Sequence, residues 1–225
     1  WLQGYGRCSA AGNGYLSQTN VGGTEHIIEF MPSQARLFYV STAYVAGSHL
    51  GSFPEDSLDV NQSFNNEYER TKFRAESRVR EFATRHDAPV TIMRPSVITG
   101  EYTTGRTFQF EGFYSLVQAI WFIGRKHKGM RIQFDYGEDV TKNFIPVDFV
   151  TDMVEEIVQT ETFWGACYHL VNHEPLVNRT LAEHMRDVLS VEFERGKPPK
   201  LNRIEQYFYK KVEPFLAYLR QEASF

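Results

Sequence analysis

Apolar residues along this chain fall into two kinds of pattern. Leu37-Phe38-Tyr39-Val40 and Pro89-Val90-Thr91-Ile92-Met93 are short, almost unbroken apolar runs. Runs of that length suit strands covered on both faces of a parallel sheet. Pro95 is expected to stop the second. Between them, residues 48–63 are rich in Ser, Gly, Pro, Asp and Asn and predict a loop, and Asn65 to Arg85, charged and free of Gly and Pro, predicts a helix. Ahead of the first strand, Thr24 to Met31 predicts a helix opened by the polar segment Asn20–Thr24.

The same alternation continues. Residues 99–106 predict a Gly-bearing loop, Phe110 to Ile123 an aromatic-rich helix, and Phe144 to Val147 a short extended piece. In Asp148–Gln159 the residues Phe149, Val150, Met153, Val154 and Ile157 share one helical face, with Asp148 as the expected N-cap. Ala166 to Val171 predicts a further strand, and Leu181–Leu189 and Ile204–Leu219 two more helices. Strands alternating with helices predict an α/β fold around a parallel sheet. Beyond about residue 105 the chain becomes aromatic-heavy and less regular. Residues 1–105 therefore read as the catalytic part of the sheet domain, and residues 106–225 as its remaining elements with a smaller C-terminal substrate lobe.

Composition narrows the functional classes. With 225 residues, 42% of them hydrophobic, the chain can bury a substantial core. A net charge of -4 provides no electrostatic argument for nucleic acid or an anionic membrane. Cys8 and Cys167 show no pairing pattern, so neither a disulfide framework nor a metal site is expected, and a cytoplasmic, reducing setting is. The sequon Asn178-Arg179-Thr180 matters only in a secreted protein. No apolar run is long enough to span a bilayer.

The candidate chemistry centres on Tyr68-Glu69-Arg70-Thr71-Lys72, which sets a phenol and an ammonium one helical turn apart on one face. A nearby ammonium favours the phenolate, so such a tyrosine can hand a proton to a developing alkoxide. The spacing recurs at Tyr207 and Lys211, so spacing alone carries little. Context separates the two. Around Tyr68 stand Asn20-Val21-Gly22-Gly23-Thr24, then Val40-Ser41-Thr42-Ala43-Tyr44-Val45-Ala46-Gly47, then Met93-Arg94-Pro95-Ser96-Val97-Ile98-Thr99-Gly100. Each lies at a strand end or helix start, where open α/β sheets bind ligands. Nothing comparable surrounds Tyr207.

Asn, hydroxyl, Tyr-x-x-x-Lys and Arg-Pro in this order resemble the extended short-chain dehydrogenase/reductases. The resemblance implies a Rossmann-like, doubly wound parallel sheet and a nicotinamide cofactor. It assigns Thr42 to polarising the substrate carbonyl, Tyr68 to proton donation, Lys72 to tuning Tyr68 and holding the ribose, and Asn20 to a proton relay. Ser41 is the hydroxyl neighbour that could be confused with Thr42, and counting back from Gly47 favours Thr42. Pro95, Ser96 and Val97 match the segment that packs on the nicotinamide ring, and Arg94 braces the loop. Cys8-Ser9-Ala10-Ala11 matches a remnant of the strand end that contacts cofactor, which adds Ala10 and Ser41 to the cofactor-binding residues.

Ser41 to Gly47, Asn143 to Val150 and Tyr209 to Leu219 further resemble fatty acyl-CoA reductases and the thioester reductase domains of carboxylic acid reductases and peptide synthetases. That branch implies reduction of an acyl thioester by NADPH, with NADH the alternative, and substrate delivered as acyl-CoA or on an acyl or peptidyl carrier protein. The aromatic residues Phe108, Phe110, Phe113, Tyr114, Trp121 and Phe122 then read either as an acyl or pantetheine channel or as plain core. Two other readings stay open: a sugar-nucleotide epimerase or dehydratase, or hydroxysteroid-type dehydrogenase, and a non-catalytic binding module. No G-x-x-G-x-x-G turn occurs among the 225 residues. The sheet is therefore expected to be N-terminally incomplete here, with its first strands and that turn upstream of Trp1.

Overall fold

The computed structural model of the protein describes residues 14–32, 35–108, 110, 112–127, 129–133, 136–196 and 200–222. Strands β1 (Leu37–Val40), β2 (Val90–Pro95) and β7 (Cys167–Leu170) form a parallel sheet in the order β1-β2-β7. Val40 stands opposite Met93, and Pro95 opposite Leu170. Every residue of the central strand β2 is buried.

Alternate side chains go to opposite faces. Val90 and Ile92, with Leu37 and Tyr39, pack on Ile28 of helix α1 (Gly23–Phe30) and on Val79 and Phe82 of helix α2 (Glu67–His86). Met93 and Phe38 pack on the other face against Val150, Val154 and Ile157 of helix α4 (Val147–Gln159). Helices thus cover both faces, and the expected doubly wound α/β architecture forms. Short pairs extend it: β3 (Val97–Thr99) runs parallel to β6 (Phe144–Pro146), and β5 (Thr141–Lys142) antiparallel to β8 (Leu176–Val177).

A second core is built by α3 (Phe113–Lys126), β4 (Met130–Gln133), α5 (Asn178–Leu189), β9 (Val191–Glu194) and α6 (Arg203–Arg220). Ile120, Ile123, Ile132, Val191, Phe208 and Val212 are its fully buried centre.

Two local expectations are corrected and one holds. The helix before β1 does not open at Asn20–Thr24. It already runs from Gly14, and Asn20 sits inside a π-helical stretch, Ser17–Gly22, that continues into α1. Packing against α2, with Val21 buried and Glu25 bridged to Arg78 at 3.0 Å, outweighs the two glycines that suggested a start. Pro95 is the last residue of its strand, as expected. The amides of Ile92 and Ser96 face the β7 side, donating to Ala166 and Leu170. The nitrogen of Pro95 therefore points toward β1, which ends opposite Met93, so no ladder bond is lost. Asp148 is not an N-cap, because α4 begins one residue earlier; its carboxylate accepts the amide of Tyr102 at 3.1 Å.

One buried ion pair ties the sheet to α2. Arg94 of β2 and Glu76 of α2 are both fully buried and meet in two bonds, Nε to Oε2 at 3.1 Å and Nη2 to Oε1 at 2.6 Å. Arg80 adds a second cation to Glu76 at 2.9 Å. The remaining Arg94 donors reach the carbonyls of Glu55 and Ser57 and the ring of His169. Arg94 thus braces the loop between β1 and α2, not the Pro95–Val97 segment beside it, and holds helix α2 as well. Glu76 is held below its ordinary carboxylate range by Arg94, which overcomes its burial.

Removing one partner of a buried pair leaves a naked charge and costs about 3–5 kcal/mol. Arg94→Met is therefore expected to lower the urea-unfolding free energy by that order. A loss within experimental error of zero contradicts a tethering role for the pair.

Candidate active site

The site forms at the C-terminal ends of β1 and β2, the crevice where open α/β sheets take ligands. Leaving β1, the chain passes Ser41 and Thr42 and makes a single turn, Ala43–Ala46, capped by Thr42, whose Oγ1 accepts the amide of Tyr44 at 3.3 Å. Gly47 then reverses direction at φ +54°, and a Cβ there would lie 2.2 Å from the carbonyl of Ser63. Only glycine fits that crossing. Thr42 Oγ1 also donates to the carbonyl of Pro95 at 3.4 Å, joining the two strand ends.

Helix α2 enters from the opposite side with a reciprocal cap. Asn66 accepts the amide of Glu69 at 3.0 Å, and the Glu69 carboxylate accepts the amide of Asn65 at 2.8 Å. The cap fixes the first turn, which carries Tyr68. The buried face of α2 runs through Tyr68, Thr71, Ala75 and Val79 at helical spacing, with Glu69 and Glu76 buried beside it.

Thr42, Tyr68, Ser96 and Val97 line one cavity of about 110 Å³. Its other walls are largely apolar: Ile98 and Phe144 from the strand ends, Phe113, Tyr114 and Leu116 from α3, and Phe215, Tyr218 and Leu219 from α6. Ser96 is held by a polar chain, donating to Asn143 Oδ1 at 2.7 Å while Asn143 Nδ2 donates to the carbonyl of Asn172 at 2.6 Å.

Of the remaining candidates, Lys72, Ser41, Asn20 and Pro95 do not line this cavity. Lys72, half-buried, donates from Nζ to the carbonyl of Val40 at 2.9 Å and stands 5.0 Å from the centre of the Tyr39 ring. Desolvation pushes it down to about 8 against the pull of Glu76. Ser41 is buried one residue before Thr42, and its hydroxyl meets no hydrogen-bond partner among the described residues. Asn20 stands behind α2, donating to Thr71 Oγ1 at 2.9 Å, which donates in turn to the carbonyl of Tyr68 at 3.0 Å. Pro95 takes part through its carbonyl. Ala10 lies outside the described residues.

The aromatic stretch divides. Phe113 and Tyr114 line the cavity, while Phe110, Trp121 and Phe122, with Tyr114 and Tyr207, form an outer groove of about 510 Å³. Phe108 is exposed. Tyr207 thus lies in the outer groove, 5.7 Å ring to ring from Phe122. Cys167 has its thiol pushed up to about 11 by burial, which disfavours a thiolate nucleophile. Among the described residues no three His, Cys, Asp or Glu side chains gather as metal ligands, and no helix is long and apolar enough to cross a membrane.

Local pattern missed the roof. Tyr44, Lys142 and Tyr218 also line the cavity. Tyr218 packs edge-on against Tyr44 at 5.2 Å and accepts a hydrogen bond from Asn66 Nδ2. Gln221, just beyond α6, bonds both Asn65 and the carbonyl of Gly47. Glu69 lies beneath, raised above its ordinary range by burial. The signal for Tyr218 lay in its apolar helix, read for its family likeness and not as a lid.

A family model described as Male sterility protein, an NAD-binding domain, matches residues 14–154. The chain belongs to that family. The match takes in Asn20, Thr42, Tyr68, Lys72 and Ser96. The chain is 27% identical over 180 residues to the non-canonical nonribosomal peptide synthetase cpsA of Aspergillus campestris, covering 75% of this chain and 16% of that protein. Among solved structures it resembles the terminal R domain of the myxalamid PKS-NRPS pathway, with 26% identity, a TM-score of 0.59, and coverage of 71% of this chain and 39% of that one. It also resembles dTDP-glucose 4,6-dehydratase from Bacillus anthracis in complex with NAD, with 18% identity, a TM-score of 0.58, and coverage of 88% and 68%. This last likeness shows the extended short-chain dehydrogenase fold alone. The chain spans only a fraction of the peptide synthetase and R domain chains it matches.

The surroundings of Lys72 yield a direct expectation. A lysine-directed NMR titration should give Lys72 a midpoint near pH 8, well below exposed lysines. A midpoint at its ordinary value of 10.5 contradicts the desolvated setting of this side chain.

Proposed function

We propose that the protein reduces an acyl thioester with a hydride from NADPH, through the cavity walled by Thr42 and Tyr68. The observation that carries this reading is that two hydroxyls, from separate elements, line one largely apolar pocket. The nicotinamide end of a cofactor site fits the residues present. Thr42 and the half-buried Lys72 stand where β1 ends, and Tyr68, Ser96 and Val97 line the cavity with Thr42. A Gly-rich turn for the pyrophosphate is not among the described residues.

A reduced nicotinamide, when bound, supplies the hydride. The chain's own residues do the rest. Thr42, its hydroxyl turned from the Pro95 carbonyl to the substrate, and Tyr68 donate to the thioester carbonyl oxygen, stabilising the negative charge that grows there. Tyr68 gives its proton to that oxygen as the carbonyl carbon accepts hydride, forming a hemithioacetal. Collapse breaks the carbon–sulfur bond, the thiol leaves with a proton, and an aldehyde remains. Lys72, charged, lowers the cost of the phenolate and can hold the ribose hydroxyls. Asn20 supports the backbone of Tyr68 through Thr71. The apolar walls exclude water and accept an acyl chain. The likeness to a peptide synthetase and a PKS-NRPS terminal R domain supports a thioester delivered on a carrier protein.

Cofactor oxidation by the whole protein, followed at the nicotinamide absorbance with acyl-CoA and acyl-carrier substrates, tests the reading. Tyr68→Phe should lower kcat roughly 10²–10⁴-fold while cofactor affinity persists, and Thr42→Ala by roughly 10²–10³-fold. Activity should fall as pH rises through about 8, because the charge on Lys72 is lost there. Full activity in Tyr68→Phe, or turnover of a sugar nucleotide and of no thioester, overturns it.

A further inference from the structure

Lys142, the last residue of β5, is a charge that the chemistry above does not use. Its side chain is 5% exposed and lines the same cavity as Thr42 and Tyr68. An ammonium carries three donors. One goes to the backbone carbonyl of Gln221, just past the end of α6. Among the described residues no carboxylate lies within ion-pair distance of it. The acidic group that acts on it is Glu222, exposed at the chain surface, and burial prevails over it, pushing Lys142 down to about 8.

A helix C-terminus alone does not explain such a residue. A cation favours the carbonyls there, but an exposed lysine serves that purpose without losing its hydration. The walls around Lys142 supply neutral groups, with Val97, Phe113 and Phe144 nearby on the same cavity. Among the described residues, two donors of a dehydrated cation therefore remain for whatever enters.

We propose that Lys142 is an anion-recognising residue of this pocket, receiving a carboxylate or phosphate oxygen of the substrate at a point other than the reacting carbonyl. The inference rests on the thioester reading above. An acyl group with a terminal carboxylate and the phosphate of a pantetheine arm are the two sources of such an oxygen. A neutral acyl thioester leaves the cation buried without a counter-charge, so the pocket selects against it.

The test uses the whole protein with three thioesters: octanoyl-N-acetylcysteamine, its ω-carboxy counterpart from octanedioic acid, and octanoyl-4′-phosphopantetheine. One anionic substrate should exceed the neutral one by roughly tenfold or more in kcat/KM, and Lys142→Met should bring that ratio to about one, with Lys142→Arg retaining part of it. Preference for the ω-carboxy substrate assigns the subsite to the acyl tail, and preference for the phosphopantetheine substrate to the arm. No preference in the wild type, or a preference that survives Lys142→Met, overturns the proposal. Reduction of none of the three refutes the thioester reading, and the subsite is then judged by binding. Octanedioate or 4′-phosphopantetheine should raise the melting temperature of the wild type and of Lys142→Arg but not of Lys142→Met. Equal shifts in all three, or none in any, overturn it.

Discussion

The bidentate pair between Arg94 and Glu76 is the constraint on which the rest of the structure depends. Both groups are fully buried, so their separation is not free to drift. Glu76 lies two turns beyond Tyr68 on α2, and Arg94 lies one residue before Pro95 at the end of β2. Holding one to the other sets the distance between the helix that carries the phenol and the strand end that carries Ser96 and Val97. The same guanidinium holds the carbonyls of Glu55 and Ser57, closing the long loop between β1 and α2 over the edge of the sheet. Such a pair contributes little net stability relative to an apolar substitute, because both charges lose their hydration. Its consequence is geometric: one register between helix and strand.

Around that frame the site combines rigid and long-range parts. Thr42 caps its own turn and reaches the carbonyl of Pro95, so the two strand ends move together. Tyr68 stands in a capped first turn supported from behind by Asn20 through Thr71. The roof comes from the far end of the chain. Tyr218 meets Asn66 and Tyr44, and Gln221 meets Asn65 and Gly47, so the end of α6 is fastened to the cap of α2 and to the turn after β1. Elements separated by some 150 residues therefore share one pocket, and the polar contacts lie around its rim while apolar side chains fill its walls.

What could be read from the sequence follows from this division. The runs at 37–40 and 89–93 were legible because strands covered on both faces leave contiguous apolar residues, and α2 because its composition is uniformly helical. Thr42, Tyr68, Ser96 and Val97 could be nominated because each sits beside a strand end or a helix start, places that local sequence marks. Pro95 was legible as the end of β2, where its nitrogen faces the side on which β1 has already ended. Asn20 misled because two glycines outweigh helix propensity only where packing does not oppose them. The helix of Tyr218 was legible but not its contact 152 positions away, and Lys142 was invisible because burial by a residue 79 positions away leaves no trace in local periodicity.

The central claim is that a substrate carbonyl sits between Thr42 and Tyr68. It is tested most directly by a crystal structure of the whole protein with NADPH and a ketone analogue of the acyl thioester, in which a methylene replaces sulfur. The account predicts the ketone oxygen within hydrogen-bond distance of both Thr42 Oγ1 and the Tyr68 hydroxyl, with the chain along Phe113 and Phe144. An analogue bound instead in the outer groove beside Trp121 and Phe122, with its oxygen remote from both hydroxyls, contradicts it.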